Sequence, residues 1–200
     1  GTGVNVALPG IVPTPALALL TREMSFDAGV MITASHNPPE FNGIKLFNHD
    51  AIGYSRSQEE AVEKVYYSGF FRTGQAGAVE QLPRMKDRYI EFMKALVSGW
   101  DFNFGLKLLV DPGNGAAAGL AGDIFKQLGF TVFTINNTPD GRFPGRSPEP
   151  KEDTLQETIK FLRQKNADLA ICFDGDADRV VFCDQPGFLG FNETTAFISR

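Results

Sequence analysis

The sequence is poor in cysteine, in basic charge and in long apolar runs. Cys172 and Cys183 are the only cysteines in 200 residues, and they do not form a Cys-x-x-Cys pair. That leaves no framework of paired cysteines. Both sit in apolar stretches and read as buried free thiols of a protein in a reducing, cytoplasmic setting. Lys and Arg number 19 against 24 Asp and Glu, a formal net charge of −5. This balance argues against a nucleic-acid or anionic-membrane partner, although a local site can still hold phosphate. No stretch approaches the roughly 18 consecutive apolar residues of a membrane span. The first residues, GTGVNVALPG, lack the basic-then-apolar order of a signal peptide. What is present is 42% hydrophobic and 22% charged residues, enough for the core of one or two domains.

Short β-branched runs alternate with helical patterns, which predicts layered α/β domains around mixed, largely parallel sheets. VNVAL, AGVMIT, IKLF, LKLLVD, TVFTI, DLAICF and VVFCD read as strands. PTPALALLTREM reads as a helix with proline at its start, where a missing N–H costs nothing. SQEEAVEKVYYSG is amphipathic and stops near Gly69, and Met85, Tyr89, Phe92 and Leu96 fall at helical spacing. Residues 70–82 are glycine-rich and read as a connector. Residues 106–135 form a β-α-β unit, with Gly129 ending its helix. The segment NNTPDGRFPGRSPEP, with four prolines and two glycines, is a loop, after which Thr154 and Glu157 predict a capping box.

Three stretches carry chemistry. In DGDADR, Asp174, Asp176 and Asp178 alternate directly after an apolar strand. Three carboxylates this close repel one another unless a hard cation neutralises them, and oxygen ligands suit Mg2+. An EF-hand loop is excluded, because its sixth and twelfth positions would be Arg179 and Gln185 rather than Gly and Glu. A phosphatase with an Asp-x-Asp nucleophile is the runner-up, with Asp178 standing where that pattern calls for Thr or Val. In TASHNPPEFNGIK, Ser35 follows a strand, with His36 and Lys45 as possible helpers; a serine needs such help to act as nucleophile or phosphate acceptor. Taken alone, that stretch also fits an ordinary polar turn. DPGNGAAAG matches G-x-G-x-x-A at Gly113, Gly115 and Ala118, but the acid expected after the next strand is replaced by Asn136 and Asn137. A tight strand-to-helix turn without a nucleotide is the better reading.

In combination these stretches resemble the α-D-phosphohexomutase superfamily. TASHNPPEFNGIK is similar to its phosphoserine loop and FDGDADRV to its magnesium loop. GIVPTPAL, DPGNGAA and PDGRFPGRSPEP match further segments in the same order, so the resemblance covers essentially the whole chain. It implies a four-domain α/β enzyme that interconverts hexose 1-phosphate and hexose 6-phosphate through a 1,6-bisphosphate. Ser35 would carry the phosphoryl group, and Asp174, Asp176 and Asp178 would hold Mg2+ together with a phosphoserine oxygen. Arg179 would lie beside the reacting phosphate, with His36 and Lys45 aiding proton transfer and charge stabilisation.

The resemblance further implies a partial domain I over residues 1–82, domain II over 83–186 and the start of domain III at 187–200. The later sugar-selecting and phosphate-clamping motifs are not found, so the 200 residues alone are expected to turn over poorly or not at all. Phosphoglucomutase/phosphomannomutase type is the leading expectation. Phosphoglucosamine mutase is the nearest alternative, and a non-catalytic magnesium-binding or phosphoprotein fragment is the alternative of another class.

Overall fold

The computed structural model describes residues 2–102 and 105–198. The chain divides into two compact units, Gly1–Ile32 with Ile44–Met85, and Thr33–Gly43 with Lys86–Arg200.

The first unit contains β1 (Val6–Leu8), α1 (Thr14–Glu23), β2 (Ala28–Ile32), β3 (Ile44–Asn48), α2 (Arg56–Ser68) and β4 (Val79–Gln81). Pro15 lies in the first turn of α1, whose buried face is Thr14, Ala16, Leu17, Leu20 and Thr21. β2 and β3 form an antiparallel pair in which Met31 faces Lys45. α2 begins where the Gln58 side chain accepts the Ser55 N–H at 2.8 Å, and it ends at Gly69 in the left-handed conformation. The connector expected over 70–82 holds one more strand: β4 runs parallel to β1 and pairs Val6 with Val79. Three exposed residues carry too little periodicity to announce it.

The second unit follows with α3, which spans Met85–Leu96 and enters this unit from Lys86. Then come β5 (Lys107–Asp111), α4 (Ala121–Gln127), β6 (Thr131–Thr134), α5 (Gln156–Lys165), β7 (Leu169–Phe173), β8 (Val180–Cys183), β9 (Phe188–Leu189) and α6 (Phe191–Ile198). Its sheet runs β6-β5-β7-β8-β9. The first three strands are parallel, and β8 and β9 are added antiparallel. Mixed α/β architecture is therefore as expected. Leu109 and Val110 are both fully buried, as neighbours on a strand covered on both faces must be. Leu109 packs with Leu155, Ile159 and Leu162 of the α5 region, and Val110 with Ala117 and Ala121 at α4.

The capping box does not form at Thr154. Its hydroxyl accepts the Lys151 N–H at 2.9 Å and lies against the carbonyls of Glu149 and Lys151. Leu155 is left to cap α5 without a side-chain bond. The site follows from the connectivity. From β5 the chain moves to β6 on one side, and it returns through α5 to β7 on the other. The carboxyl ends of β5 and β7 thus flank a topological switch point, where open α/β sheets place their ligands.

Candidate active site

β7 ends at Phe173 and delivers Asp174, which is fully buried, followed by Asp176, 2% exposed. Asp178 lies on the surface, and oxygens of the three carboxylates all come within 4.8 Å of one another. Arg179 closes the loop. Its backbone N–H donates to Asp174 Oδ1 at 3.1 Å, and its Nε donates to Oδ2 at 3.1 Å. It also approaches Asp178 at 3.7 Å and Glu149 at 4.0 Å. Burial pushes the Asp174 carboxyl up; Asp176 and Asp178 add to the rise, while the Arg179 backbone bond and charge oppose it.

The donor set fits a divalent cation. An octahedral Mg2+ with oxygens at about 2.1 Å spans at most ~4.2 Å between opposite ligands, so small rotations of these side chains suffice. Oδ1 of Asp176 is buried and accepts no hydrogen bond among the described residues, though Asp176 is otherwise engaged.

Ser35 lies beyond β2 in a loop that belongs to the second unit. Thr33 N–H donates to the Gly43 carbonyl at 3.0 Å and closes the loop's base, and Ser35 N–H donates to Thr33 Oγ1 at 2.8 Å. Ser35 has φ of 57°, a region a non-glycine residue enters at a cost of about 1–3 kcal/mol, and such costs cluster at functional sites. Its Oγ is 3.4 Å from His36 Nδ1. The loop meets the acidic loop at Gly175, where a Cβ would overlap the Ser35 carbonyl oxygen and touch Pro148 at 3.3 Å. Ala116 N–H, in the tight turn after β5, donates to the Gly175 carbonyl at 2.9 Å.

Ser35, His36, Asp174, Asp176, Asp178 and Arg179 all belong to the second unit, whereas Lys45 is a half-buried residue of β3 in the first. Sequence reasoning missed Glu149, whose carboxyl is held below its ordinary range chiefly by a hydrogen bond from Lys151, with His36 and Arg179 acting in the same direction. It also missed Arg146 and Asp111, joined by a buried ion pair at 2.9 Å. The available signal was an aspartate ending an apolar strand, a position that normally demands a buried partner.

An open α/β sheet with an acidic loop at its switch point and a serine loop against it defines a structural class, layered α/β proteins with a candidate site at the carboxyl ends of their strands. Family profiles narrow the class. Residues 87–187 match "Phosphoglucomutase/phosphomannomutase, alpha/beta/alpha domain II", and residues 1–73 match domain I of the same family. The chain belongs to the phosphoglucomutase/phosphomannomutase family, within the α-D-phosphohexomutase superfamily.

Among its relatives, a probable phosphoglucosamine mutase of Methanosphaera stadtmanae is 41% identical over 94% of this chain and 42% of its own length. A phosphopentomutase of Thermococcus kodakarensis is 39% identical over 93% of this chain and 41% of its own. A crystal structure of a phosphoglucomutase/phosphomannomutase family protein from Burkholderia thailandensis superposes with a TM-score of 0.80 at 34% identity, covering 93% of this chain and 41% of that one. The chain thus spans about two fifths of the length of the relatives it matches. No helix among the described residues is long and apolar enough to cross a membrane.

Proposed function

We propose that this chain supplies the phosphoryl-carrying half of a magnesium-dependent phosphohexomutase, an isomerase of hexose 1-phosphate and hexose 6-phosphate of the phosphoglucomutase/phosphomannomutase type. The observation that carries the reading is the meeting of the serine loop and the acidic loop at Gly175 within one compact unit. In this reading residues 1–82 are part of domain I, 83–186 are domain II and 187–200 begin domain III.

Ser35 Oγ carries a phosphoryl group. Its P–O bond breaks as phosphorus bonds to the oxygen of the free hydroxyl of the hexose phosphate, and the proton of that hydroxyl passes by way of the proton-transfer groups to the departing Ser35 oxygen. The resulting 1,6-bisphosphate turns over and returns its other phosphoryl to Ser35. His36 and Lys45 serve proton transfer and charge stabilisation, and Arg179 faces the phosphoryl oxygens. Asp174, Asp176 and Asp178 hold Mg2+, which neutralises charge on the transferring group when bound.

The relatives' names include a phosphoglucosamine mutase and a phosphopentomutase, so the sugar is the open variable. The test uses the full-length protein with glucose, mannose, glucosamine and ribose phosphates as competing substrates. Highest kcat/KM on glucose or mannose phosphate supports the reading, and preference for glucosamine phosphate replaces it with the phosphoglucosamine alternative. An alkali-labile phosphate on Ser35 that Ser35→Ala abolishes is expected. Activity retained by Ser35→Ala, or a hydroxylamine-sensitive acyl phosphate on Asp174, sinks the serine mechanism.

A further inference from the structure

The loop after β6 contains a buried arginine that the reaction above does not use. Arg146 is 8% exposed, and its guanidinium donates four hydrogen bonds. Nε donates to Asp111 Oδ2 at 2.9 Å, and Nη1 donates to the Ser147 carbonyl at 3.0 Å. Nη2 donates to the Asp111 carbonyl at 3.1 Å and to the Phe173 carbonyl at 2.7 Å. One side chain therefore ties together the end of β5, the end of β7 and its own loop.

Its counter-ion is fixed in turn. Asp111 Oδ1 accepts the Gly113 N–H at 2.8 Å and the Asn136 amide at 3.1 Å, and Oδ2 also accepts the Thr158 hydroxyl at 2.6 Å. A Cβ at Gly113 would lie 2.7 Å from the guanidinium carbon, so the arginine fills the space that glycine leaves. A buried ion pair is a weak source of net stability, because desolvation offsets its attraction. What this one supplies is orientation. The Phe173 carbonyl belongs to the peptide whose N–H is that of Asp174, and that N–H donates to the Arg179 carbonyl at 3.2 Å. A peptide is planar, so holding both its ends fixes the Asp174 Cα and its N–Cα axis, and the two Arg179 hydrogen bonds to the carboxylate settle the rotation about it.

We propose that Arg146 is a positioning residue for the acidic loop, acting through the Phe173 carbonyl to hold Asp174 where it shares a cation with Asp176 and Asp178. The proposal rests on the reading of those aspartates as the magnesium ligands.

The experiment measures Mg2+ binding to the full-length protein by titration calorimetry, alongside thermal unfolding. Arg146→Lys keeps a charge beside Asp111 but loses the fork that also reaches Phe173. Thr158→Val removes a bond to the same aspartate, and among the described residues the Thr158 side chain donates no hydrogen bond to the acidic loop. Both variants are expected to unfold at lower temperature. Only Arg146→Lys, measured while folded, is expected to bind Mg2+ more weakly, by about 10–100-fold, the usual effect of losing an outer partner of a metal site.

Equal Mg2+ affinity in Arg146→Lys and wild type, or equal weakening in Thr158→Val, overturns the proposal and leaves a purely structural ion pair. Should Arg146→Lys fail to fold, the double variant Asp111→Asn with Arg146→Gln leaves no stranded charge and carries the same expectation. A wild-type protein that binds no Mg2+ removes the metal reading and this proposal with it. Wild-type binding with unchanged Arg146→Lys removes this proposal alone.

Discussion

Ser35 and Gly175 set a tight constraint on the candidate site at the scale of single residues. The serine holds a left-handed backbone, and the glycine lets its carbonyl come close enough to exclude a Cβ. Gly175→Ala is therefore expected to separate the two loops. Phosphate incorporated at Ser35, measured by intact mass, should fall sharply while the far-UV circular dichroism stays that of the wild type. Asp176→Asn removes one negative charge from the acidic triad, so on the proposed metal reading the Mg2+ concentration for half-maximal activity should rise steeply; an unchanged requirement would refute its role. Ser35 and the three aspartates were legible in the sequence because each sits in a short motif beside a strand. Arg146 and Asp111 were not, because they meet across 35 residues of chain and neither segment alone reveals the contact.

Among the elements, β5 gives Leu108, Leu109 and Val110 to the core and ends in Asp111, the partner of Arg146. Leu109 and Leu162 are fully buried in one cluster, on opposite sides of the contact between sheet and helix. Leu162→Ala should cost about 2–5 kcal/mol of stability, read from the shift of the denaturant midpoint, because the cavity it leaves is enclosed. The long apolar strands and the β-α-β unit declared themselves through composition and spacing. β4 and β9 did not, since strands of three and two residues are defined by their partners rather than by a pattern. Thr154 shows the opposite failure. A capping signature was present, yet local hydrogen bonds to residues 149–151, three and five positions back, drew the hydroxyl away.

For the whole molecule, the net charge of −5 still leaves basic side chains beside the acids. Arg179, Lys151 and His36 gather around Glu149 at the mouth of the acidic loop. If the phosphate of the proposed substrate meets Arg179 and Lys151 there, added salt should weaken its binding by screening these exposed cations. Inhibition by inorganic phosphate, measured from low to physiological ionic strength, is expected to decline; salt-independent inhibition would place the anion elsewhere.

The two cysteines have a practical use beyond structure. Cys172 and Cys183 lie fully buried on neighbouring strands, and the hydrogen bond with Cys183 together with burial holds the Cys172 thiol well above its ordinary value. Both thiols sit in the cluster with Leu155, Ile159 and Leu162, so a thiol reagent reaches them when the α5 region lifts from the sheet or the unit opens more widely. Alkylation of the native protein is thus a stopwatch on that opening: it should run slowly in buffer, quicken with each increment of denaturant and, on the proposed metal reading of the acidic loop, slow again with added Mg2+.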